Sequence, residues 1–135
     1  MASQATGTFE VKLTPQGPPN PDDGPPLGRM SINKRFLGSL DATSRGEMLS
    51  MGTEVKGSAG YVAIEQVTGT LDGRDGSFVL QHSGVMNRGA PELTISVVPD
   101  SGSGQLVGLS GRMMIRIADG QHTYDFNYEI PESPG

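Results

Sequence analysis

The chain alternates hydrophobic and polar residues over several stretches, with the period of two that is typical of a half-buried β-strand. In residues 6–14, Phe9, Val11 and Leu13 alternate with polar neighbours, which predicts the first strand. The same pattern predicts further strands over residues 30–50, 55–69, 77–87, 93–97, 111–118 and 121–130. Glycine contributes 20 residues and proline 10, so long helices are not expected and a turn-rich β fold is favoured.

The stretch from Met30 to Ser50 is too long for one straight strand, and Gly38 and Gly46 are candidate positions for a bend or a bulge. A break near Gly38 brings the count to eight strands joined by short turns. An open sheet of eight strands leaves two unpaired edges, whereas closure into a barrel removes both. We therefore predict a single all-β domain over residues 1–135, a closed eight-stranded antiparallel barrel. A two-sheet sandwich is the alternative that the periodicity leaves open.

Asp119 and Gly120 form the strongest hairpin signal in the chain. A two-residue loop there pairs Ala118 with Gln121, Ile117 with His122, Ile115 with Tyr124 and Met113 with Phe126. One face of this hairpin is then apolar and aromatic. The other face is polar and belongs in water, with Arg112, Arg116, Thr123, Asp125 and Asn127.

Two segments break the strand pattern. The proline-rich stretch 15–28 lacks the N–H groups of a regular ladder and predicts a surface loop. Between Gln105 and Gly111, Leu106 and Leu109 have helical spacing, which is compatible with a single helical turn.

Composition and charge narrow the classes of function. The chain has no cysteine, which excludes disulfides and thiolate chemistry. Its net charge of −5 and lack of tryptophan argue against a nucleic-acid partner. The start, Met1 to Gln4, shows no basic stretch followed by an apolar run, and no segment approaches the ~18 apolar residues of a membrane span. We expect a cytoplasmic protein with no membrane partner.

Four segments, in the same order, resemble an uncharacterised bacterial family whose members are similar in fold to allene oxide cyclase. They are Gly46-Glu47-Met48-Leu49-Ser50, Gly57-Ser58-Ala59-Gly60-Tyr61-Val62-Ala63-Ile64-Glu65, Gly76-Ser77-Phe78-Val79-Leu80-Gln81-His82-Ser83-Gly84 and Leu106-Val107-Gly108-Leu109-Ser110-Gly111. The resemblance covers about residues 5–130 and implies an eight-stranded barrel, often in self-associating proteins. The wider superfamily includes cyclases and dirigent proteins that hold an apolar substrate inside the barrel. Fold alone does not transfer chemistry, and no catalytic residue is carried over.

Glu65 and His82 are the candidate catalytic residues. If Thr70 pairs with Ser77 across the loop from Leu71 to Gly76, Glu65 lies opposite His82, within hydrogen-bond reach. Such a pair serves as base and acid in a proton transfer, with burial raising the pKa of the glutamate. A structural or solvated ion pair is the alternative interpretation.

The predicted interior faces supply the candidate ligand-binding residues, which are Tyr61, Phe78, Leu80, Met86, Met113, Tyr124 and Phe126. Methionines, including Met48 and Met114, fit an adaptable pocket or ordinary core packing equally well. His122 is expected at the barrel rim, and Glu47, a lesser candidate, points outward unless Gly46 forms a bulge. Two histidines without a carboxylate at ligand spacing make a poor zinc site, so neither metal nor cofactor is predicted.

Three functions stay open on these patterns. The first is a binding module for a small apolar or amphipathic molecule, and the second is a cofactor-independent cyclase or isomerase using Glu65 and His82. The third is a self-associating structural or regulatory protein, because four apolar residues have the outward parity: Val62, Ile64, Val79 and Val85. The family resemblance and the third hypothesis both favour a homo-oligomer.

Overall fold

A computed structural model describes residues 3–15 and 27–131 of the chain, and it contains nine β-strands in this part. They are β1 Ser3–Pro15, β2 Leu27–Gly38, β3 Leu40–Gly52, β4 Ala59–Leu71, β5 Arg74–Asn87, β6 Ala90–Val97, β7 Ser103–Gly104, β8 Ser110–Ala118 and β9 Gln121–Glu129. All pairings between them are antiparallel. The predicted all-β class is confirmed.

Eight strands close into a barrel. The sheet runs β4-β3-β2-β1-β9-β8-β6-β5, and pairing of β4 with β5 joins its two ends, so the barrel is confirmed over the sandwich. The short β7 pairs with the start of β5 at Gly76 and Ser77. No helix long and apolar enough to cross a membrane occurs in residues 3–15 and 27–131.

The two ends of the barrel differ. At one end, called the closed end, the Asp72 N–H of the β4–β5 turn donates to the Ser39 carbonyl of the β2–β3 turn. At the same end, Gln105, in the chain that links β7 to β8, donates its N–H to the Asp75 carbonyl of β5. Leu106 and Leu109 of this link are buried, and their backbone N–H groups bond to Ser103 and Leu106 in turns rather than in the predicted helical turn. Most of the large buried side chains lie toward this end, including Leu40, Leu71, Phe78, Phe126 and Tyr128. The closed end is therefore packed solid by the core.

The opposite, open end is formed by the ends of β1, β3, β5 and β8 and the starts of β2, β4, β6 and β9. Its inward-parity apolar side chains stay substantially exposed, as shown by Leu13, Met86, Leu93 and Ile117. The inner wall of the barrel is therefore apolar and solvent-exposed at this end.

The register of the last hairpin is as predicted, with Ala118 opposite Gln121 and Met113 opposite Phe126. The β4–β5 register is not. Its turn has two residues, Asp72 and Gly73, both with positive φ, so that Leu71 pairs with Arg74. The predicted six-residue loop was wrong because Arg74 to Gly76 continue the strand.

The error shifts the β4–β5 pairing by two residues. Glu65 lies opposite Leu80, and His82 lies opposite Ala63. Because side chains alternate with a period of two, a shift of two leaves Glu65 and His82 on the same, inward face. They are diagonal neighbours instead of direct partners.

The long pattern from Met30 to Ser50 does break at Gly38, where φ is +108° and β2 turns into β3. At Gly46 the ladder continues without a bulge, with Ile32 on one side and Glu65 on the other. A Cβ at Gly46 would lie 2.0 Å from the Ile64 carbonyl oxygen, so glycine is required for β3 to approach β4 this closely.

The proline-rich loop was predicted over residues 15–28. Pro15 ends β1, and Leu27 and Gly28 begin β2, so the strands extend into both ends of that range. The rest of the prediction, residues 16–26, lies outside the described part of the chain.

Candidate functional site

A buried carboxylate stands at the centre of the barrel, between the packed core and the open end. Glu65 is 0% exposed and receives three side-chain hydrogen bonds. His82 Nε2 lies 2.6 Å from its Oε1, and Lys34 Nζ donates to the same oxygen at 2.9 Å. Ser44 Oγ donates to Oε2 at 2.5 Å. We call Lys34, Ser44, Tyr61, Glu65 and His82 the polar cluster.

The strand register explains how β2 and β3 bring their donors to Glu65. Lys34 and Ser44 are direct cross-strand partners with inward parity, and Gly46, the next inward position of β3, is the direct partner of Glu65. Since Gly46 has no side chain, the space next to it is left to the Glu65 carboxylate, which there accepts hydrogen bonds from Lys34 and Ser44. Lys34 Nζ also lies 5.1 Å and 5.7 Å from the centroids of the Phe9 and Phe36 rings, which favours its positive charge in the interior.

His82 links Glu65 to Tyr61. The imidazole is 4% exposed, and its Nδ1 lies 3.4 Å from the Tyr61 hydroxyl. An ionised carboxylate only accepts hydrogen bonds, so Nε2 must carry the proton that points at Glu65. In the neutral imidazole Nδ1 is then an acceptor, and Tyr61 donates to it.

The environment keeps Glu65 ionised. Burial alone would raise its pKa, but the hydrogen bond from His82, the charge of Lys34 and the hydrogen bond from Ser44 together lower the pKa from 4.5 to about 2. The expected rise of the pKa through burial is therefore outweighed by the three partners of the carboxylate. A carboxylate with this pKa is a weak base, so Glu65 is suited to orient His82 and to stabilise positive charge on it rather than to take up protons itself.

Tyr61 is held in its protonated form. Burial raises the pKa of its hydroxyl, and the negative charge of Glu65 raises it further. At neutral pH the phenol therefore has one hydrogen to donate and free lone pairs to accept with.

An apolar cleft of about 320 Å³ opens at the mouth of the barrel and reaches Tyr61. Its walls come from the end of β3, the start of β4 and the β5–β6 hairpin, with Met48, Ser50, Ala59, Gly60, Tyr61, Gly84, Val85, Met86, Pro91, Glu92 and Leu93. We call it the mouth cleft. Gly84 lies directly opposite Tyr61, and a Cβ there would be 2.3 Å from the ring, so this glycine makes room for Tyr61 between cleft and cluster.

Two larger depressions have volumes of about 550 and 640 Å³. The first follows the seam between β6 and β8, and the second lies over outward residues of β2 to β5. The mouth cleft is smaller, but Tyr61 joins its lining directly to the polar cluster. That connection makes it the candidate site.

The structure divides the predicted ligand-binding residues into two groups. Tyr61 and Met86 line the mouth cleft. The other five are buried and pack in the core cluster, away from the mouth cleft, and they are Phe78, Leu80, Met113, Tyr124 and Phe126. For example, the rings of Phe78 and Phe126 stack with centroids 5.7 Å apart. A role of these five in ligand contact stays a prediction.

The two lesser candidates, His122 and Glu47, lie at the positions predicted for them, the barrel rim and the outer face. His122 is half-exposed at the open end, with its ring centroid 5.1 Å from that of Phe9. Glu47 points outward and forms an exposed ion pair with Arg29 at 2.6 Å. Among residues 3–15 and 27–131, no three His, Cys, Asp or Glu side chains come together as a metal site.

Sequence reasoning missed Lys34 and Ser44 as members of the site. Both occupy the inward parity of their strands, between apolar residues such as Ile32, Phe36 and Ala42. A lysine on the inward face of a predicted strand requires a buried partner, and Glu65 was the inward carboxylate available. That signal was present in the alternation pattern.

The chain was also compared with known proteins. No curated protein matches it. A crystal structure of a protein of unknown function from the DUF3224 family of Shewanella oneidensis MR-1 is 53% identical, covers 98% of this chain and 100% of its own, and has a TM-score of 0.91. The model of the family "Protein of unknown function (DUF3224)" matches residues 5–128. With both the closed barrel and nearly the whole sequence in agreement, the chain belongs to the DUF3224 family.

Proposed function

We propose that this protein binds a small, mostly apolar molecule in the mouth cleft, with the polar end of that molecule against Tyr61. The observation that carries the proposal is the junction at Tyr61. Its ring lines an apolar cleft of about 320 Å³, while its hydroxyl contacts His82 of the buried polar cluster. Apolar walls that converge on a few fixed polar groups are the usual design of a small-molecule site.

In the described part of the chain, the architecture supports a container that is open at one end. The closed end is filled by the core, so a ligand enters from the side where Leu13, Met86 and Leu93 face solvent. The resemblance to allene oxide cyclase-like barrels, which hold apolar substrates inside, favours the same use of this fold. The polar cluster then fixes the depth to which the ligand can go.

The test uses N-phenyl-1-naphthylamine, an uncharged dye that fluoresces in apolar surroundings, with the purified full chain. Met86→Arg places a charged side chain on the cleft wall, and Met114→Arg makes the same change on the exposed outer face of β8. We expect Met86→Arg to weaken dye binding by about tenfold or more, ~1.4 kcal/mol, because it puts charge into an apolar site. Met114→Arg should bind like the wild type.

Equal dye binding by all three proteins would place the dye elsewhere and contradict the proposal. Absence of binding to the wild type would do the same. Circular dichroism of each variant checks that the β structure is intact.

Self-association is a second candidate, favoured by an apolar strip on the outside of the barrel. Leu49, Val62 and Ile64 are each close to half exposed, and Leu49 and Val62 are direct cross-strand partners. Val85 is also exposed, but Val79 is half-buried and does not extend the strip. We propose a second copy of the chain as the occupant, since the strip supplies the apolar area that an interface between identical subunits needs.

Sedimentation velocity tests this second candidate. Ile64→Glu should dissociate the assembly, whereas Thr43→Glu, an outward change on β3 away from the strip, should leave it intact. A monomeric wild type at high concentration would contradict it.

A further inference from the structure

We infer that the mouth cleft takes a ligand through a weakly acidic O–H group, and that the pair Tyr61 and His82 receives its proton. This inference rests on the proposed binding function and names the class of ligand that the site selects. It follows from the direction in which the hydrogen bonds of the polar cluster run.

The direction of the hydrogen bonds is set at Glu65, the buried end of the chain Tyr61–His82–Glu65. The Glu65 carboxylate only accepts, so His82 Nε2 donates to it across 2.6 Å. In the neutral imidazole, His82 Nδ1 is then an acceptor toward Tyr61, 3.4 Å away, and the Tyr61 hydrogen points inward at it. The Tyr61 oxygen therefore presents lone pairs, and not a hydrogen, to the mouth cleft.

A hydrogen-bond donor in the cleft completes this chain, whereas a ligand with only acceptors breaks it. An ether or a ketone would need the Tyr61 hydrogen to turn outward, which would leave the buried Nδ1 of His82 without its donor. A hydroxyl ligand donates to the Tyr61 oxygen and keeps every bond of the chain. The site thus discriminates between ligands by polarity as well as by shape.

The charges around His82 allow the proton to move. From β4 it is faced by Tyr61 and Glu65, and from β2 Lys34 donates to the same Glu65 oxygen. Its direct partner on β6, Ile95, is uncharged. Lys34 and Glu65 cancel formally, so a proton on His82 leaves one positive charge, which the ligand anion balances.

The transfer has two parts. The O–H bond of the ligand breaks as a new O–H bond forms on Tyr61, and the original Tyr61 O–H bond breaks as an N–H bond forms at His82 Nδ1. The ligand becomes an oxyanion and His82 an imidazolium, with no net change in proton number. Glu65 remains ionised throughout and stabilises the imidazolium across their hydrogen bond.

The experiment compares two probes of nearly the same shape, 4-nitrophenol and 4-nitroanisole, of which only the first has an O–H. At a pH below the probe's own pKa, free 4-nitrophenol is mostly neutral, and its phenolate is recognised by visible absorbance. We expect the wild type to bind 4-nitrophenol as the phenolate. Tyr61→Phe should lose that signal while it still binds 4-nitroanisole, because the ring that lines the cleft is retained.

Nuclear magnetic resonance of the two histidine rings tests the destination of the proton. His82 should take on imidazolium shifts when 4-nitrophenol binds and keep its shifts with 4-nitroanisole, while His122 at the rim serves as the internal control. If both probes bind with a neutral phenol and a neutral His82, the inference is wrong and the proposed binding function stands. If neither probe binds, both the proposed binding function and this inference are wrong.

Discussion

Glu65 is the residue on which the interior of the barrel depends. A buried carboxylate is stabilised only while its donors are in place, and here His82, Lys34 and Ser44 supply them within 2.9 Å. Its lowered pKa is a measure of that stabilisation. Because the folded pKa is lower than the unfolded value, the contribution is fully present above about pH 4.5 and is lost as the pH falls toward 2.

The pH dependence of stability should reveal this residue. The contribution of Glu65 is about 3 kcal/mol in full, so between pH 7 and pH 3 the wild type should lose about 2 kcal/mol more than Glu65→Gln does. Urea unfolding at both pH values measures the difference. Glu47→Gln, in an exposed ion pair, is the matched control and should keep the wild-type slope. Equal slopes for the wild type and Glu65→Gln would show that the carboxylate is not held by its partners.

At neutral pH, Glu65→Gln should also be strongly destabilised. The substitution leaves Lys34 as a buried charge without its counter-ion, which costs about 3–5 kcal/mol. Lys34→Met combined with Glu65→Gln removes both charges and should recover part of that loss in urea unfolding. If Glu65→Gln alone were as stable as the wild type, the buried ion pair between Lys34 and Glu65 would be contradicted.

At the scale of elements, the period of two decided how much of the site could be predicted. A wrong turn length between β4 and β5 shifted the register by two residues, yet Glu65 and His82 stayed on one face and in contact. Alternation also placed Lys34 and Ser44 on inward faces. That placement made Glu65 the expected partner of Lys34, but it did not give the distances within the cluster. Those distances depend on how closely β3 approaches β4 at Gly46, which the alternation pattern does not specify.

Glycines at the mouth cleft should differ sharply in their tolerance of a methyl group. A Cβ at Gly84 would lie 2.3 Å from the Tyr61 ring, whereas a Cβ at Gly60, on the neighbouring strand of the same cleft, has its nearest neighbour at 3.9 Å. Gly84→Ala should therefore lose about 1–3 kcal/mol in urea unfolding, and Gly60→Ala should change little. Equal effects would mean that Gly84 is not what makes room for Tyr61.

At the scale of the whole molecule, alternation and strand count predicted the closed barrel. The pairing of β4 with β5 closes the sheet into that barrel. The difference between the open and closed ends was not predicted. It depends on Leu106 and Leu109, whose short link folds across one end, and on the absence of a similar plug at the mouth among the described residues. Such long-range closure leaves no periodic signal in the sequence.

The barrel is not equally strong around its circumference. β6 and β8 pair only at Ile95–Met113 and Ser96–Arg112, while β4 and β5 pair over their full lengths. Amide hydrogen exchange should show alternate amides of residues 114–118 exchanging at least about tenfold faster than those of residues 63–67. Uniform protection of the two segments would contradict a weak seam between β6 and β8.

The central claim is that the open end of the barrel is a ligand site whose floor is Tyr61, joined to His82 and Glu65. A crystal structure of the protein with bound N-phenyl-1-naphthylamine tests it most directly. The account predicts density for the dye in the mouth cleft, between Tyr61, Met86 and Leu93, with the polar cluster intact beneath it. Density only on the outer surface, with the cleft closed over Tyr61, would contradict it.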